Sequence, residues 1–131
     1  MISTKGRYAL KVMMDLAENG REGLVPLKDV AERQDISKKY LEVIVSSLVK
    51  GKMIKGFSGK GGGYTLSRAP EDYSVGEILE LTEGSLAAVS CLDKESESCP
   101  CASDCKALAF WTEYNKIVND FLFSKRLSDL I

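Results

Sequence analysis

The sequence predicts a mainly α-helical fold, a winged helix-turn-helix with a two-stranded β wing, followed by a long C-terminal helix. Three observations lead to this prediction. Apolar residues recur with helical spacing in three successive N-terminal segments, and a tight connection separates the second from the third. A glycine-rich hairpin pattern comes next. A segment with a wide apolar face follows near the end of the 131 residues.

The three N-terminal helices are predicted from their apolar periodicity and their end signals. The first is expected over residues 3–19, where one face carries Ala9, Val12, Met13 and Leu16. The second is expected over residues 27–33, after a Val-Pro turn. Ser37 is a good N-cap for the third, expected over residues 38–50, and Gly51 follows it in the usual C-terminal position.

The hairpin is predicted where the periodicity changes. Residues 53–57 and 63–67 are short and strand-like, and residues 58–62 between them form a flexible basic tip. This pattern is typical of the wing. A phosphate-binding loop is excluded because the spacing of glycine, four residues, then glycine, lysine and a hydroxyl residue is absent.

Two further helices are predicted in the C-terminal half. Ser74 and Glu77 form a capping box that opens a helix over residues 75–81. The last helix is expected over residues 106–123, and its apolar face carries Phe110, Trp111, Tyr114, Ile117, Val118, Phe121 and Leu122. Part of so wide a face is predicted to pack on the matching helix of a second copy in a homodimer, the alternative being burial within its own monomer.

The chain is therefore divided into four predicted parts. Residues 1–68 form the winged helix-turn-helix domain, and residues 69–89 hold a connecting helix. Residues 90–105 form a cysteine-bearing loop, and residues 106–131 form the dimerisation helix and the C-terminal tail. No apolar run approaches the length of a membrane span, and the N-terminus lacks an apolar signal core, so a cytoplasmic protein without a membrane partner is predicted.

Charge is distributed unevenly along the chain. Residues 1–68 hold 13 lysines and arginines against 7 acidic residues, whereas residues 69–131 hold 5 against 12. A basic N-terminal half indicates a polyanionic partner such as double-stranded DNA, although solvated faces can also segregate charge. The sequence contains no histidine, the commonest general base, and it has no nucleotide-binding motif. It therefore argues against an enzyme and against a small-molecule substrate.

The candidate DNA-reading surface combines the start of the third helix with the wing. Lysines there can contact phosphates or guanine edges, and hydroxyl groups can donate to phosphates. Glu42 can accept from a cytosine amino group, or it can repel phosphates and so act against wrong sites. The helix contributes Ser37, Lys38, Lys39, Tyr40 and Glu42, and the wing contributes Lys55, Ser58 and Lys60. A solvated face of a protein-binding winged helix is the alternative.

Four cysteines, Cys91, Cys99, Cys101 and Cys105, lie within 15 residues. Zinc sites usually use two close C-x-x-C pairs, which are absent here, so the wide spacing favours an iron–sulfur cluster. Cys91, Cys99 and Cys105 are spread widely enough to hold a small cluster, and Cys101 is either a fourth ligand or a bystander. Zinc, unmetallated thiols and a redox-formed disulfide are the alternatives.

Several of these segments resemble the IscR/NsrR/CymR family of bacterial regulators, and the IscR branch most closely. The resemblance lies in residues 2–9 (ISTKGRYA), 36–42 (ISKKYLE), 61–64 (GGGY) and 74–78 (SVGEI), and in the cysteine loop leading into residues 108–111 (LAFW). It implies a homodimeric winged-helix repressor or activator, in which a 2Fe–2S cluster reports cluster supply and changes DNA binding. It also implies control of cluster-assembly genes.

The resemblance carries residue roles onto this chain. The three cluster cysteines of the family fall on Cys91, Cys99 and Cys105. The base-reading positions fall on Lys39, Glu42 and Val43, and the wing arginine falls on Ser58. The histidine that completes the cluster in IscR falls on Leu108, and the N-terminal aspartate of NsrR falls on Arg7, so neither residue can be a ligand. The fourth ligand stays open among Cys101, Asp104, Glu95, Glu97 and an exogenous thiol.

Two other functions within the same family stay open. One is a nitric-oxide- or redox-sensing repressor, because the same thiolates serve both chemistries. The other is a cluster-free CymR-like regulator of sulfur metabolism, against which the retained cysteines argue.

Overall fold

A computed structural model describes residues 2–89, 92 and 105–131, and within them the predicted winged helix-turn-helix is confirmed. Its elements in chain order are α1 (Thr4–Asn19), α2 (Leu27–Gln34), α3 (Lys38–Lys50), β1 (Ile54–Phe57), β2 (Gly63–Leu66), α4 (Val75–Glu83) and α5 (Leu108–Ser124). Short 3-10 helices cover Pro70–Asp72 and Leu127–Leu130. Cys91, Cys99 and Cys101 lie outside the described residues.

The core forms where the apolar stripes of α1 and α3 meet. All four predicted α1 positions are buried, and on α3 the buried residues are Leu41, Ile44, Val45 and Leu48. Leu127, near the end of the chain, is also buried in this core. Burial of this kind, at about 25 cal/mol per Å² of apolar surface, is the main force holding the helices together.

The ends of α3 follow the sequence, but Gly51 is glycine for a different reason than expected. Its φ of −80° is open to any residue, and Lys52 takes the left-handed conformation, with φ 59°. A Cβ on Gly51 would lie 2.4 Å from the Leu81 side chain. A side chain at this position would have to displace Leu81, so the close packing of α3 against α4 favours glycine.

The wing is a two-stranded antiparallel hairpin in which Ile54 pairs with Leu66 and Phe57 with Gly63. Val25, just before α2, extends this pairing, because its N–H and carbonyl exchange hydrogen bonds of 2.9 Å with Tyr64. A Cβ on Gly63 would lie 2.6 Å from the Val25 carbonyl oxygen, so glycine permits this approach. The wing is thereby fixed to the start of α2.

The predicted capping box at Ser74 and Glu77 is present, and α4 runs two residues further than expected, to Glu83. The C-terminal tail returns to this point. The Val75 N–H donates to the Lys125 carbonyl at 2.8 Å, and the Leu127 N–H donates to the Tyr73 carbonyl at 3.0 Å. The tail therefore packs against the start of α4.

Helix α5 begins at Leu108, two residues later than predicted, and none of its residues is fully buried. This departs from the alternative of burial within one monomer. It packs against α4 around Gly76 and Phe123. Trp111, Val118 and Leu122 are half-buried. Four large apolar side chains lie exposed on one face, namely Phe110, Tyr114, Ile117 and Phe121. In the described part of the chain, no helix combines the length and apolar character needed to cross a membrane.

Candidate nucleic-acid interface and cysteine-bearing segment

The N-terminus of α3 is an exposed, capped helix end. The Ser37 hydroxyl oxygen accepts a hydrogen bond from the Tyr40 N–H at 3.2 Å, so this side chain holds the first turn in place. Lys38, Lys39 and Glu42 are exposed, and none forms an ion pair within the described residues. These charges are thus available to a partner.

Val43 adds an apolar contact surface beside these charges. Its side chain is 52% exposed, although it stands in a helix whose other face is fully buried. An exposed apolar side chain on a helix that enters the major groove can contact a thymine methyl group. Val43 is therefore accessible to a partner, and the base-reading role that the resemblance implies stays a prediction.

Tyr40 lies between this surface and the core, because its ring is half-buried against α1. It packs edge-on against Tyr8, with ring centroids 5.7 Å apart and planes at 79°. The Lys11 ammonium lies 5.5 Å from the centroid of the Tyr8 ring. Sequence reasoning missed Tyr8 and Lys11, since their i, i+3 spacing on α1 says nothing about α3. Tyr40 supports the reading helix, and its hydroxyl is left as the group that can reach a phosphate.

The wing places its predicted residues, Lys55, Ser58 and Lys60, on the exposed surface. Gly59 and Gly61 at the tip have φ values of 93° and 78°, a region that favours glycine. A groove of about 400 Å³ runs along α3 and reaches Tyr64 of β2, and it is lined by Glu42, Val45, Ser46, Val49, Lys50 and Tyr64. Helix α3 and the base of the wing therefore border one open surface.

A buried hydroxyl fixes the base of the wing. Tyr73 is fully buried, and its hydroxyl donates to the Met53 carbonyl at 2.5 Å. The same oxygen accepts from the N–H groups of Ser67 and Arg68, at 2.9 and 3.0 Å. The Arg68 guanidinium stacks over the ring at 4.2 Å and pairs with Glu77. Tyr73 thus joins both strand ends to the start of α4, a role that the sequence did not indicate.

A second buried polar group joins α1 to α2. The Asp15 carboxylate, fully buried on α1, accepts from Arg33 at 2.8 and 3.0 Å and from Gln34 at 2.9 Å. Burial by itself raises the pKa of Asp15, but the bonds from Arg33 and Gln34 outweigh it and hold the pKa below the ordinary 3.8. The carboxylate is therefore ionised, and it ties the helix-turn-helix to α1.

The described part of the cysteine loop ends at Cys105, which is half-buried and stands three residues before the first residue of α5. Its carbonyl accepts from the Leu108 N–H at 3.2 Å. Among the described residues, no group of three histidine, cysteine, aspartate or glutamate side chains could hold a metal ion. The predicted ligands Cys91, Cys99 and Cys101 lie outside those residues.

Two asparagines of α5 hold the other end of the cysteine segment. Asn115 Oδ1 accepts from the Ala88 N–H at 2.8 Å, and Asn119 Nδ2 donates to the Leu86 carbonyl at 3.3 Å. Leu108 and Asn115 are about 10 Å apart along a helix that rises 1.5 Å per residue. The segment from Val89 to Cys105 therefore starts and ends beside the same half of α5. Sequence reasoning did not identify these asparagines.

Comparisons with known proteins agree with this geometry. The model of the Rrf2 family, described as an iron-dependent transcriptional regulator, matches residues 2–131. The HTH-type transcriptional regulator IscR of Erwinia tasmaniensis is 36% identical over 130 residues, which cover 99% of this chain and 78% of that protein. The structure of CymR, the global cysteine regulator of B. subtilis, is similar with a TM-score of 0.81 at 35% identity, covering 99% of this chain and 95% of CymR. The structure of T. potens IscR has a TM-score of 0.76 at 33% identity, covering 99% and 85%.

Proposed function

The chain belongs to the Rrf2 family of transcriptional regulators, and we propose that it senses iron–sulfur cluster status through a cysteine-ligated cluster and controls cluster-assembly genes. Its relatives are named as transcriptional regulators and not as enzymes, as the sequence predicts. The family implies binding to double-stranded DNA. The cluster, the target genes and the homodimer are the finer parts of the proposal.

One observation carries the DNA-binding part, namely a capped helix end whose charged side chains are exposed beside a basic wing. Lys38 and Lys39 stand in the first turn of α3, where the partial positive charge of the helix end also favours phosphates. Lys55 and Lys60 extend the positive charge along the wing. Lys39, Glu42 and Val43 are proposed to read base edges in the major groove, and Ser58 is proposed to approach the adjacent backbone.

The test is a salt titration of DNA binding. A duplex enriched from a random pool by the wild-type protein serves as the probe, at roughly 0.1 to 0.2 M salt. Lys38→Ala is expected to weaken binding and to reduce the slope of log affinity against log salt by about 1, as for one lost phosphate contact. Lys116→Ala removes an exposed lysine on α5 and is the matched control. Equal slopes for both variants would contradict the assignment of Lys38.

The cluster part of the proposal depends on the chemistry of the cysteines. Thiolates are the ligands that iron–sulfur clusters use, and Cys91, Cys99 and Cys105 would hold the cluster, most simply a 2Fe–2S cluster, with Cys101 as the candidate fourth ligand. Both described ends of the segment are held beside one half of α5, which supports grouping these thiols. When bound, the cluster would make the state of the protein depend on the supply of iron and sulfide. Leu108 and Arg7 offer no ligand atom that suits iron.

The test is anaerobic purification followed by a visible absorption spectrum and measurement of iron and sulfide. Bands between about 320 and 550 nm are expected in the wild type and are expected to be lost in Cys105→Ser. Their loss in Cys101→Ala would make Cys101 the fourth ligand, and their survival would move that role to a carboxylate or an external thiol. A colourless, iron-free anaerobic wild-type protein would overturn the cluster part.

A cluster-free, CymR-like regulator of sulfur metabolism is the second candidate. The similarity to B. subtilis CymR favours it, since that structure matches the chain at a TM-score of 0.81. The same purification separates the two candidates. Protein without iron that still binds its enriched duplex with sub-micromolar affinity would support the CymR-like function.

A further inference from the structure

The last residue of α4 binds the first turn of α1. Glu83 Oε1 accepts from the backbone N–H of Ser3 at 2.8 Å and from the Ser3 hydroxyl at 2.7 Å. The same hydroxyl oxygen caps α1 by accepting from the Gly6 N–H at 3.2 Å. The negative charge thus lies at the N-terminus of α1, where the helix dipole favours it.

Gly6 leaves the space for this contact. A Cβ at residue 6 would lie 2.1 Å from Glu83 Oε1 and would displace the carboxylate. Glycine is otherwise unfavourable inside a helix by about 0.5 to 1 kcal/mol relative to alanine. Glycine at residue 6 is therefore explained by the space that the Glu83 carboxylate needs, since helix formation by itself would favour another residue.

On one side, Glu83 connects directly to the cysteine segment. Gly84, with φ 82°, ends α4, and residues 85–89 lead from it to Cys91, eight residues after Glu83. Asn115 and Asn119 fix these residues to α5. Glu83 is thus the last α4 residue before the chain turns toward the cysteines.

On the other side, α1 connects Ser3 to the DNA-reading end of α3. Tyr8 follows Ser3 by five residues, about 7.5 Å along the helix, and its ring supports Tyr40. Tyr40 stands in the first turn of α3, immediately after Lys38 and Lys39. The contact between Tyr8 and Tyr40 therefore joins the start of α1 to the reading residues, beside the apolar core that α1 and α3 share.

We propose that Glu83 and Tyr8 are positioning residues that couple the state of the cysteine segment to the DNA-reading end of α3. With Glu83 bound to Ser3, the first turn of α1 is fixed and Tyr8 holds Tyr40 in place. When a change in the cysteine segment displaces Gly84 and Glu83, Ser3 at the N-cap of α1 loses its hydrogen bonds to Glu83. The first turn of α1 is then held less firmly, and Tyr8 fixes the Tyr40 ring less well. This proposal rests on the proposed function, because it takes cluster binding as the change in the cysteine segment.

The test compares the duplex affinity of cluster-loaded and cluster-free protein. Glu83→Ala removes the contact, and Glu80→Ala is the matched control, since Glu80 is exposed one turn earlier on α4 and makes no side-chain hydrogen bond within the described residues. The ratio of the two affinities is expected to shrink at least fivefold in Glu83→Ala and to stay at the wild-type value in Glu80→Ala. Gly6→Ala, which displaces the carboxylate and leaves Glu83 in place, is expected to act like Glu83→Ala.

Amide hydrogen exchange supplies a second readout, measured on cluster-free protein. Exchange at Tyr40 and Leu41, whose N–H groups donate to Ser37, is expected to accelerate in Glu83→Ala and in Tyr8→Leu, but not in Glu80→Ala. Unchanged exchange there, together with a wild-type affinity ratio, would overturn the coupling. If the wild type itself binds DNA equally well in both states, the proposed function is wrong, and exchange at α3 still decides whether Glu83 positions the reading helix.

Discussion

Replacing Tyr73 with phenylalanine would remove one oxygen atom from beneath the wing and leave the buried ring in place. That oxygen makes three hydrogen bonds, with the Met53 carbonyl and the N–H groups of Ser67 and Arg68. The Ser67 N–H keeps a longer bond to the Met53 carbonyl, at 3.3 Å, so these two groups stay paired after the change. The Arg68 N–H loses its partner.

The expected cost follows from this count. The Arg68 N–H is only part-buried, so leaving it without an acceptor costs about 1 to 2 kcal/mol, the lower part of the range for buried groups, and the lost bond to Met53 adds about 1 kcal/mol. We therefore expect Tyr73→Phe to lower the free energy of unfolding by about 2 to 3 kcal/mol. At about 2.1 cal/mol/K of unfolding entropy per residue, 131 residues correspond to a fall in Tm of about 7 to 11 °C.

Thermal unfolding followed by circular dichroism measures this change. Tyr114→Phe is the matched control, because Tyr114 lies on the exposed face of α5 and its hydroxyl makes no hydrogen bond within residues 2–89, 92 and 105–131. Amide exchange at Ser67 and Arg68 is expected to accelerate in Tyr73→Phe alone. A Tm within 2 °C of wild type, with protected Ser67 and Arg68 amides, would refute the reasoning.

Three further predictions address other contacts. Asp15→Asn breaks the buried ion pair between α1 and α2 and is expected to lower the free energy of unfolding by about 2 kcal/mol at pH 7. Because the folded-state pKa of Asp15 is below 3.8, its contribution is complete above that pH and is lost as the pH falls through the folded value. Urea unfolding should therefore show wild type and variant converging below about pH 4, and a constant difference would contradict the ion pair. In the same urea unfolding assay, Gly51→Ala is expected to lower the free energy of unfolding by about 1 to 2 kcal/mol, because the added methyl group meets Leu81. A variant as stable as the wild type would mean that α3 and α4 are less closely packed. Ile117→Glu, on the exposed face of α5, is expected to give a monomer by sedimentation at concentrations where Thr112→Glu, on another face, stays dimeric. A monomeric wild type, or a dimeric Ile117→Glu, would refute the predicted dimer interface.

Much of the candidate DNA surface could be read from the sequence because its signals are local. The Ser37 cap fixes the start of α3, and the period of apolar residues fixes its buried face. Exposure of Lys38, Lys39 and Glu42 follows from those two facts. The contact of the Tyr40 ring with α1 could not be predicted, because it depends on Tyr8, which lies 32 residues away in the chain.

The sequence by itself determined the winged helix-turn-helix, the bounds of α3, the capping box of α4 and the clustering of the cysteines. Each of these depends on neighbours within a few residues, through caps, turns and apolar spacing. Tertiary structure alone decided the three polar contacts that join distant segments, namely Asp15 with Arg33, Tyr73 with Met53, and Glu83 with Ser3. The reason is physical: a buried or capping polar group needs a partner in space, and no local pattern in the chain says which distant residue supplies it.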